Sequence, residues 1–500
     1  MAKKWKHANV VPVRLTLHKG LNYMQAASTI DDNEMIIAEN IMYDVNTDKI
    51  QVRPGTNCIS ATSLTNPIRA LYEYVKDATH QYIIAASLDK LYYLDTDTFV
   101  EIGTLSSATV TPSMVTFNGK LLVADGSTNI MSWDGTTYAA VSTGAPKASA
   151  LGVIKNRVVA NHDDEPDSVY LCALEDATTW SGGTSLGLKA GYGDGLKVNG
   201  FATLGDDLII SKVGLYTTSN TKRLYRLNTE DTTSSNWYIA FLSGVNAFSS
   251  HSCAVAAFNN VFFGDTNGFK SVKGVQEYGD IAVDAVGRKV NTIFENYEAT
   301  HVQYIPAFNC IMFINAGRIY CYYDNNQAFT KLEFNQGEIN SVCEASGAVY
   351  LGGRNGHLYK LDPGRSTDET APDTTSVFTS EIITKAFTTP GEIILKRIKL
   401  LVRPISEATV RVWAYKPSGT EVQLKEISMG DAGEYLYNMD DVGEDELYNY
   451  QDDYLYDAGS LPEFHVVNNV ARGEELCVKL QTTTGRVAYE SISIDLAQVG

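Results

Sequence analysis

Between Asp431 and Asp457 the chain concentrates ten carboxylates and six phenols with no Lys or Arg: Asp431, Glu434, Tyr435, Tyr437, Asp440, Asp441, Glu444, Asp445, Glu446, Tyr448, Tyr450, Asp452, Asp453, Tyr454, Tyr456 and Asp457. Carboxylates at this density can bind a divalent cation, stay hydrated as a solvated insertion, or repel phosphate so that DNA passes without being gripped. The tyrosines favour a surface that meets a partner, because acidic disordered tails are poor in aromatics and Tyr is enriched at interfaces. This stretch is the sequence's candidate partner or channel surface.

Other arrangements that could carry chemistry dissolve into structure. No HExxH, Walker A or calcium-loop pattern occurs. Asp95-Thr96-Asp97-Thr98 begins like a calcium loop but lacks its Gly and terminal Glu, so it reads as a loop between strands. GYGDG (Gly191 to Gly195) precedes strand-like sequence, whereas a phosphate-cradling loop opens a helix; its glycines read as turn residues with positive φ. The eight His are scattered. Seven Cys, an odd number with no CxxC, read as reduced core residues. The expectation is a protein that is not an enzyme, with no catalytic, cofactor-binding or metal-binding residue. A glycan hydrolase, which uses acids placed around its substrate, is a second alternative.

The elements that must position these groups are strands. Runs such as QYIIAAS, KLLVADG, RVVANH, DLIISK and VFFGD are short, apolar and bounded by turn residues. Aligned on the turn before each run, they recur near Ala78, Asn118, Asn156, Asp206, Asn259, Asn309 and Gly347, at steps of about 40, 38, 50, 53, 50 and 38 residues. Such periods, with several strands in each, are those of propeller blades, which must stack around an axis because one blade cannot bury both faces. The sequence therefore predicts an all-β protein. A seven-bladed (six to eight) β-propeller spans 61–363, after an extended arm (1–60) that packs on or closes it. A polar linker (364–377) and a C-terminal β-sandwich (378–500) carrying the acidic insertion 431–457 complete the organisation.

Composition bounds the partners. The chain has 500 residues, 44% of them hydrophobic, and a formal charge of −19 from 40 Lys+Arg against 59 Asp+Glu. That apolar content can bury a large core, and the acidity argues against gripping nucleic acid by phosphate neutralisation. No window approaches the ~18 apolar residues a membrane span needs. Met1-Ala2-Lys3-Lys4 opens positively, but Pro12, Arg14, His18 and Lys19 interrupt the following segment, so the expectation is a cytoplasmic site of synthesis without export.

The opening GLNYMQAASTIDDNEMIIAENIMYDVNTDKIQVRPG (Gly20 to Gly55) resembles the start of tail propeller proteins of tailed bacteriophages, with Gly20, Leu21, Asn22, Ala38, Asn40, Arg53, Pro54 and Gly55 on the pattern. GDGLKVNGFATLGDDLIISKVGLYTTS (Gly193 to Ser219) is similar to a blade of that family, with Lys212 at its Lys position, and CAVAAFNNVFFGDTNGFKSVKG is similar to the next blade. Leu196-Lys197 after GDG and the acidic, Tyr-rich insertion depart from the family. The resemblance implies a virion structural protein, the tail nozzle of a short-tailed phage assembled in a bacterial cytoplasm. It implies a ring of six copies below the portal and adaptor, carrying fibres or spikes and closing the channel that retains and ejects double-stranded DNA. A fibre-docking or host-receptor-binding propeller is the alternative it leaves open.

Overall fold

Tight turns set the repeat. In the computed structural model, which describes residues 10–214, 221–266, 268–275, 280–294, 298–430 and 462–499, both central residues of several first hairpins have positive φ. Asn118-Gly119, Lys155-Asn156, Phe258-Asn259 and Ser346-Gly347 are such pairs. Turns of this handedness match the twist of the strands they join, so each launches a second strand antiparallel to the first. Those second strands begin at His80, Lys120, Arg157, Asp207, Asn260, Cys310 and Ala348, immediately after the turns marked in the sequence.

Each repeat is a meander of four strands, and the described residues form seven of them. The innermost strands are Ile68–Asp77, Ser113–Phe117, Leu151–Ile154, Leu196–Leu204, Ala254–Ala257, Ala299–Ile305 and Ile339–Ala345. Successive inner strands are neighbours, and the last lies beside the first, so the ring is closed. Adjacent blades bury their faces against each other. Tyr74, Ile84 and Leu91 of the first pack on Leu121, Val123 and Trp133 of the second. Phe269 of the fifth stacks on Phe313 of the sixth with centroids 4.8 Å apart. Full burial of one such side chain contributes roughly 1.5–3 kcal/mol.

Closure is made by a strand from far away in the chain. The seventh blade takes its outer strand from Gly55–Cys58, antiparallel to Leu358–Asp362 with Tyr359 opposite Cys58 and Asp362 opposite Gly55. Residues 364–377, expected as a linker, instead extend this sheet through Thr367–Ala371 and Thr374–Val377. Their polarity has a structural use: Asp368 accepts from Thr56 Oγ1 at 3.2 Å and from the Asn335 amide at 3.1 Å, and Glu369 accepts from the Cys58 amide at 2.7 Å.

The chain divides into two units, 55–376 and a second made of 1–54 with 377–500. The expected arm 1–60 is therefore cut at Pro54/Gly55. Its last strand closes the ring, and its earlier strands belong to the C-terminal unit. There Val10–Leu15 pairs with Val487–Val499, Met35–Glu39 with Ser380–Thr384, and Ile50–Val52 with both Ile41–Tyr43 and Val487–Val499. The 22-residue strand Glu463–Thr484 pairs with Phe387–Pro404 over its first part and with Ser380–Thr384 and Ala408–Tyr415 over its second, so it belongs to two sheets.

Gly55 is the residue at which closure is tightest. A Cβ there would sit 2.2 Å from the Thr367 carbonyl oxygen and 2.9 Å from its nitrogen, both backbone atoms. Gly55→Ala is expected to cost about 3 kcal/mol or more, the upper end of overpacking, whereas Gly144→Ala, with nothing within 4 Å of its Cβ, should cost far less. Equal urea midpoints for the two variants would show that the closing strand contributes little.

Candidate functional site

The polar residues of the propeller gather where each second strand ends, and there they hold the segment leading into the same blade. Ser87 Oγ donates to the Asn66 carbonyl at 2.9 Å. Asp125 accepts from the Ser106 amide at 2.7 Å, and Asn161 Oδ1 accepts from the Ser149 and Ala150 amides, each at 2.9 Å. In the fifth blade Asp265 binds Lys222 and Lys270, and Lys270 reaches Asn246 Oδ1 at 2.6 Å. These segments would otherwise enclose unpaired amides and carbonyls, whose burial costs about 1–3 kcal/mol each.

The fourth blade uses a cation for this purpose. Lys212 is fully buried, with Nζ 2.7 Å from both Asp167 Oδ1 and Asp194 Oδ1 and 2.5 Å from the Ala190 carbonyl. Asp194 also accepts from Arg223 Nη1 and Tyr225 OH, each at 3.1 Å, and Asp167 accepts from the Gly193 amide at 2.8 Å. Burial raises the Asp167 carboxyl pKa, but the Lys212 and Gly193 hydrogen bonds outweigh it and hold the group below the usual range. GYGDG is thus a loop folded around an ammonium. Gly191, Gly193 and Gly195 all have positive φ, as the sequence suggested. At Gly191 a Cβ would lie 2.0 Å from Tyr225 OH. Asp167, Asp194 and the Ala190 carbonyl take up all three protons of Lys212, so the ammonium has none to offer a phosphate and its chemistry is positional.

The other residues that carry the family resemblance are likewise fixed by internal bonds. Asn22 bonds Glu34 Oε2 at 2.8 Å and accepts the Met24 amide at 3.0 Å. Asn40 adopts a left-handed conformation, accepts from Arg53 Nε at 3.0 Å and donates to the Thr379 carbonyl at 2.7 Å. The buried Arg53 guanidinium lies 3.7 Å over the Phe378 ring.

Two histidines at the inner-strand starts were invisible as a pair in the sequence. His251 stands in the short turn 251–253 that leads into the inner strand of the fifth blade. Its Nε2 is enclosed with no partner. Burial pushes the His251 pKa down to about 4, and the nearby His301 pushes the same way. His301, whose Nε2 is 2.8 Å from the Val342 carbonyl, is lowered by burial too. Both rings are therefore neutral spacers at ordinary pH.

The sixteen residues singled out between Asp431 and Asp457 lie outside the described residues. Among the described residues no group of three or more His, Cys, Asp or Glu is placed to hold a metal ion, and no helix is long and apolar enough to cross a membrane. All seven cysteines are free, six of them buried; burial pushes the Cys253 thiol up to about 11 and Cys477 to about 12, which keeps them protonated and unreactive.

The chain matches no protein-family model and no curated protein. Among solved structures it is similar to the extracellular domain of the putative one component system BT4673 from B. thetaiotaomicron, at 11% identity and TM-score 0.43. That alignment covers 76% of this chain but only 46% of the other, so the chain spans under half of that structure. BamB from Moraxella catarrhalis aligns at 14% identity and TM-score 0.40, over 71% of this chain and 97% of its own. A luciferin-regenerating enzyme aligns at 8% and 0.36, over 65% and 97%.

Two measurements probe these groups. Lys212→Met leaves Asp167 and Asp194 without their shared ammonium and should cost about 3–5 kcal/mol in denaturant unfolding; adding Asp167→Asn and Asp194→Asn should recover most of it. A triple variant no more stable than the single one would mean that the buried charges are not the cause. His251 has a folded-state pKa below its unfolded value, so the unfolded chain binds the extra proton and this group destabilises the fold as pH falls from about 6.5 toward 4. Relative to His251→Gln, the native protein should lose about 2.5 kcal/mol between pH 7 and pH 4.5. Parallel pH profiles for the two proteins would refute the assignment.

Proposed function

We propose that the protein is a virion structural component, the tail nozzle of a short-tailed bacteriophage, assembled as a ring of six copies below the portal and adaptor. The observation that carries this reading is that residues matching the tail-propeller pattern are spent on scaffolding. Asn22, Asn40, Arg53, Gly55, Asp194 and Lys212 each hold backbone, and their hydrogen-bonding capacity is directed inward. A particle component that must keep its shape under packaged-DNA pressure calls for such rigidity. An acidity of −19 per copy, repeated around a ring, gives a passage whose carboxylates repel phosphate, so DNA slides rather than sticks. On this reading the adaptor, portal, and fibres or spikes are protein partners, and the duplex is a passing cargo.

Antibody raised against the chain should label the tip of a short tail in negatively stained virions, and virions assembled without the chain should release their DNA. Labelling of fibres alone would favour the fibre-docking or receptor-binding propeller. Hydrolysis of host polysaccharide, abolished by one Asp or Glu substitution, would replace both with a glycan hydrolase.

A further inference from the structure

One face of the C-terminal unit has the opposite charge to the chain as a whole. Across three paired strands, Arg14 lies opposite Ser493, and Ser493 opposite Lys399; one step along, Pro12, Asp495 and Arg397 are in register. These side chains therefore share one side of the sheet. Asp495 lies beneath two cations, with Lys399 Nζ at 3.3 Å and Arg397 Nε at 3.7 Å. Glu490 repeats the arrangement, accepting from Arg403 Nε at 3.2 Å and from Lys49. In both triads the carboxylate is the hidden partner: Asp495 and Glu490 side chains are 11% and 16% exposed, against 49% and 31% for Arg397 and Lys399. Arg14 is exposed and, among the described residues, pairs with no carboxylate. With Asp48, which lines the same groove as Arg14, Lys49 and Glu490, five cations stand against three carboxylates, and the surplus faces outward. Within this basic field Phe464, paired opposite Leu401, is 63% exposed.

We propose that this face binds the acidic, tyrosine-rich stretch 431–457 of a second copy of the chain. The stretch supplies ten carboxylates, no Lys or Arg to oppose the surplus, and six phenol rings to cover Phe464 and Leu401. Copies carrying −19 each repel one another, so any contact between them must bring unlike surfaces together. The face and the stretch are different surfaces, so the contact is head-to-tail, and such contacts close into a ring when the rotation permits. The choice of a second copy over the same copy rests on the ring proposed above.

The test uses a labelled peptide of residues 431–457, the intact chain, a variant in which that stretch is replaced by a short Gly-Ser linker, and an Arg397→Glu/Lys399→Glu variant. The peptide should bind the intact chain, weakening roughly tenfold as salt rises from about 50 to about 300 mM and at least as much in the charge-reversed variant. Arg14→Glu, at an exposed position, should weaken it in the same direction, which separates loss of the face from misfolding. Mixing the charge-reversed variant with the linker variant should give pairs, since one retains the stretch and the other the face. Binding of the peptide to the linker variant alone would mean that each copy covers its own face, and tighter binding of duplex DNA than of peptide would make the face a phosphate site; either result overturns the proposal. Pairing in a protein that antibody does not place at a tail tip would instead overturn the nozzle and leave this contact standing.

Discussion

A blade has two apolar faces and can shield neither. Everything in the propeller unit follows from that constraint. Tyr74, Ile84 and Leu91 have no cover until Leu121 and Trp133 arrive, and Ile68 has none until the last blade brings Cys343 and Leu358 back to it. An open arc would leave one face bare at each end, so the ring's stability is available only once the last blade meets the first. That meeting is secured by four residues, Gly55–Cys58, which arrive before any blade has been made and pair with a strand some 300 positions later. Separating them costs loop-closure entropy that grows only slowly with length, so so distant a closure is tolerable. It couples the chain's start to the whole ring.

The polar residues at the ends of the second strands solve a second problem created by the first. Stacking blades places the connecting segments over the ring's end, where their amides and carbonyls lose water. Ser87, Asp125, Asn161 and Lys212 supply the missing partners, each in the manner its neighbours allow. Chemical type is therefore variable while position is constant. Where the segment presents carbonyls and carboxylates, as in GYGDG, a lysine fits; where it presents amides, an aspartate or asparagine does.

This explains what could be read from the residues. Local rules were legible: Asn118-Gly119 and Ser346-Gly347 are turns for reasons contained in those dipeptides, and seven of them placed all seven blades. Positive φ in GYGDG was legible for the same reason. What was hidden depends on partners distant in sequence. Residues 364–377 look like a linker because their polarity is spent on Thr56, Cys58 and Asn335, and the cut at Pro54/Gly55 falls where one extended segment changes allegiance from one unit to the other. The resemblance marked Lys212, yet nothing local told that its two carboxylates come from different blades' segments, at Asp167 and Asp194.

Charge follows the same division between what is local and what is assembled. The net −19 describes the chain but not its surfaces, because Asp495 and Glu490 lie under the cations they neutralise and leave a positive exterior on an acidic protein. Alternation along a strand hides this: in LKRIKLLVRP the basic residues read as ordinary outward positions, and only the register against Val487–Val499 shows that the opposing carboxylates sit deeper and are outnumbered. A sheet can build such a face cheaply, since its inward side chains (Ile398, Leu400 and Val402) already pay the cost of order. The outward set is then free to be chosen for what it meets.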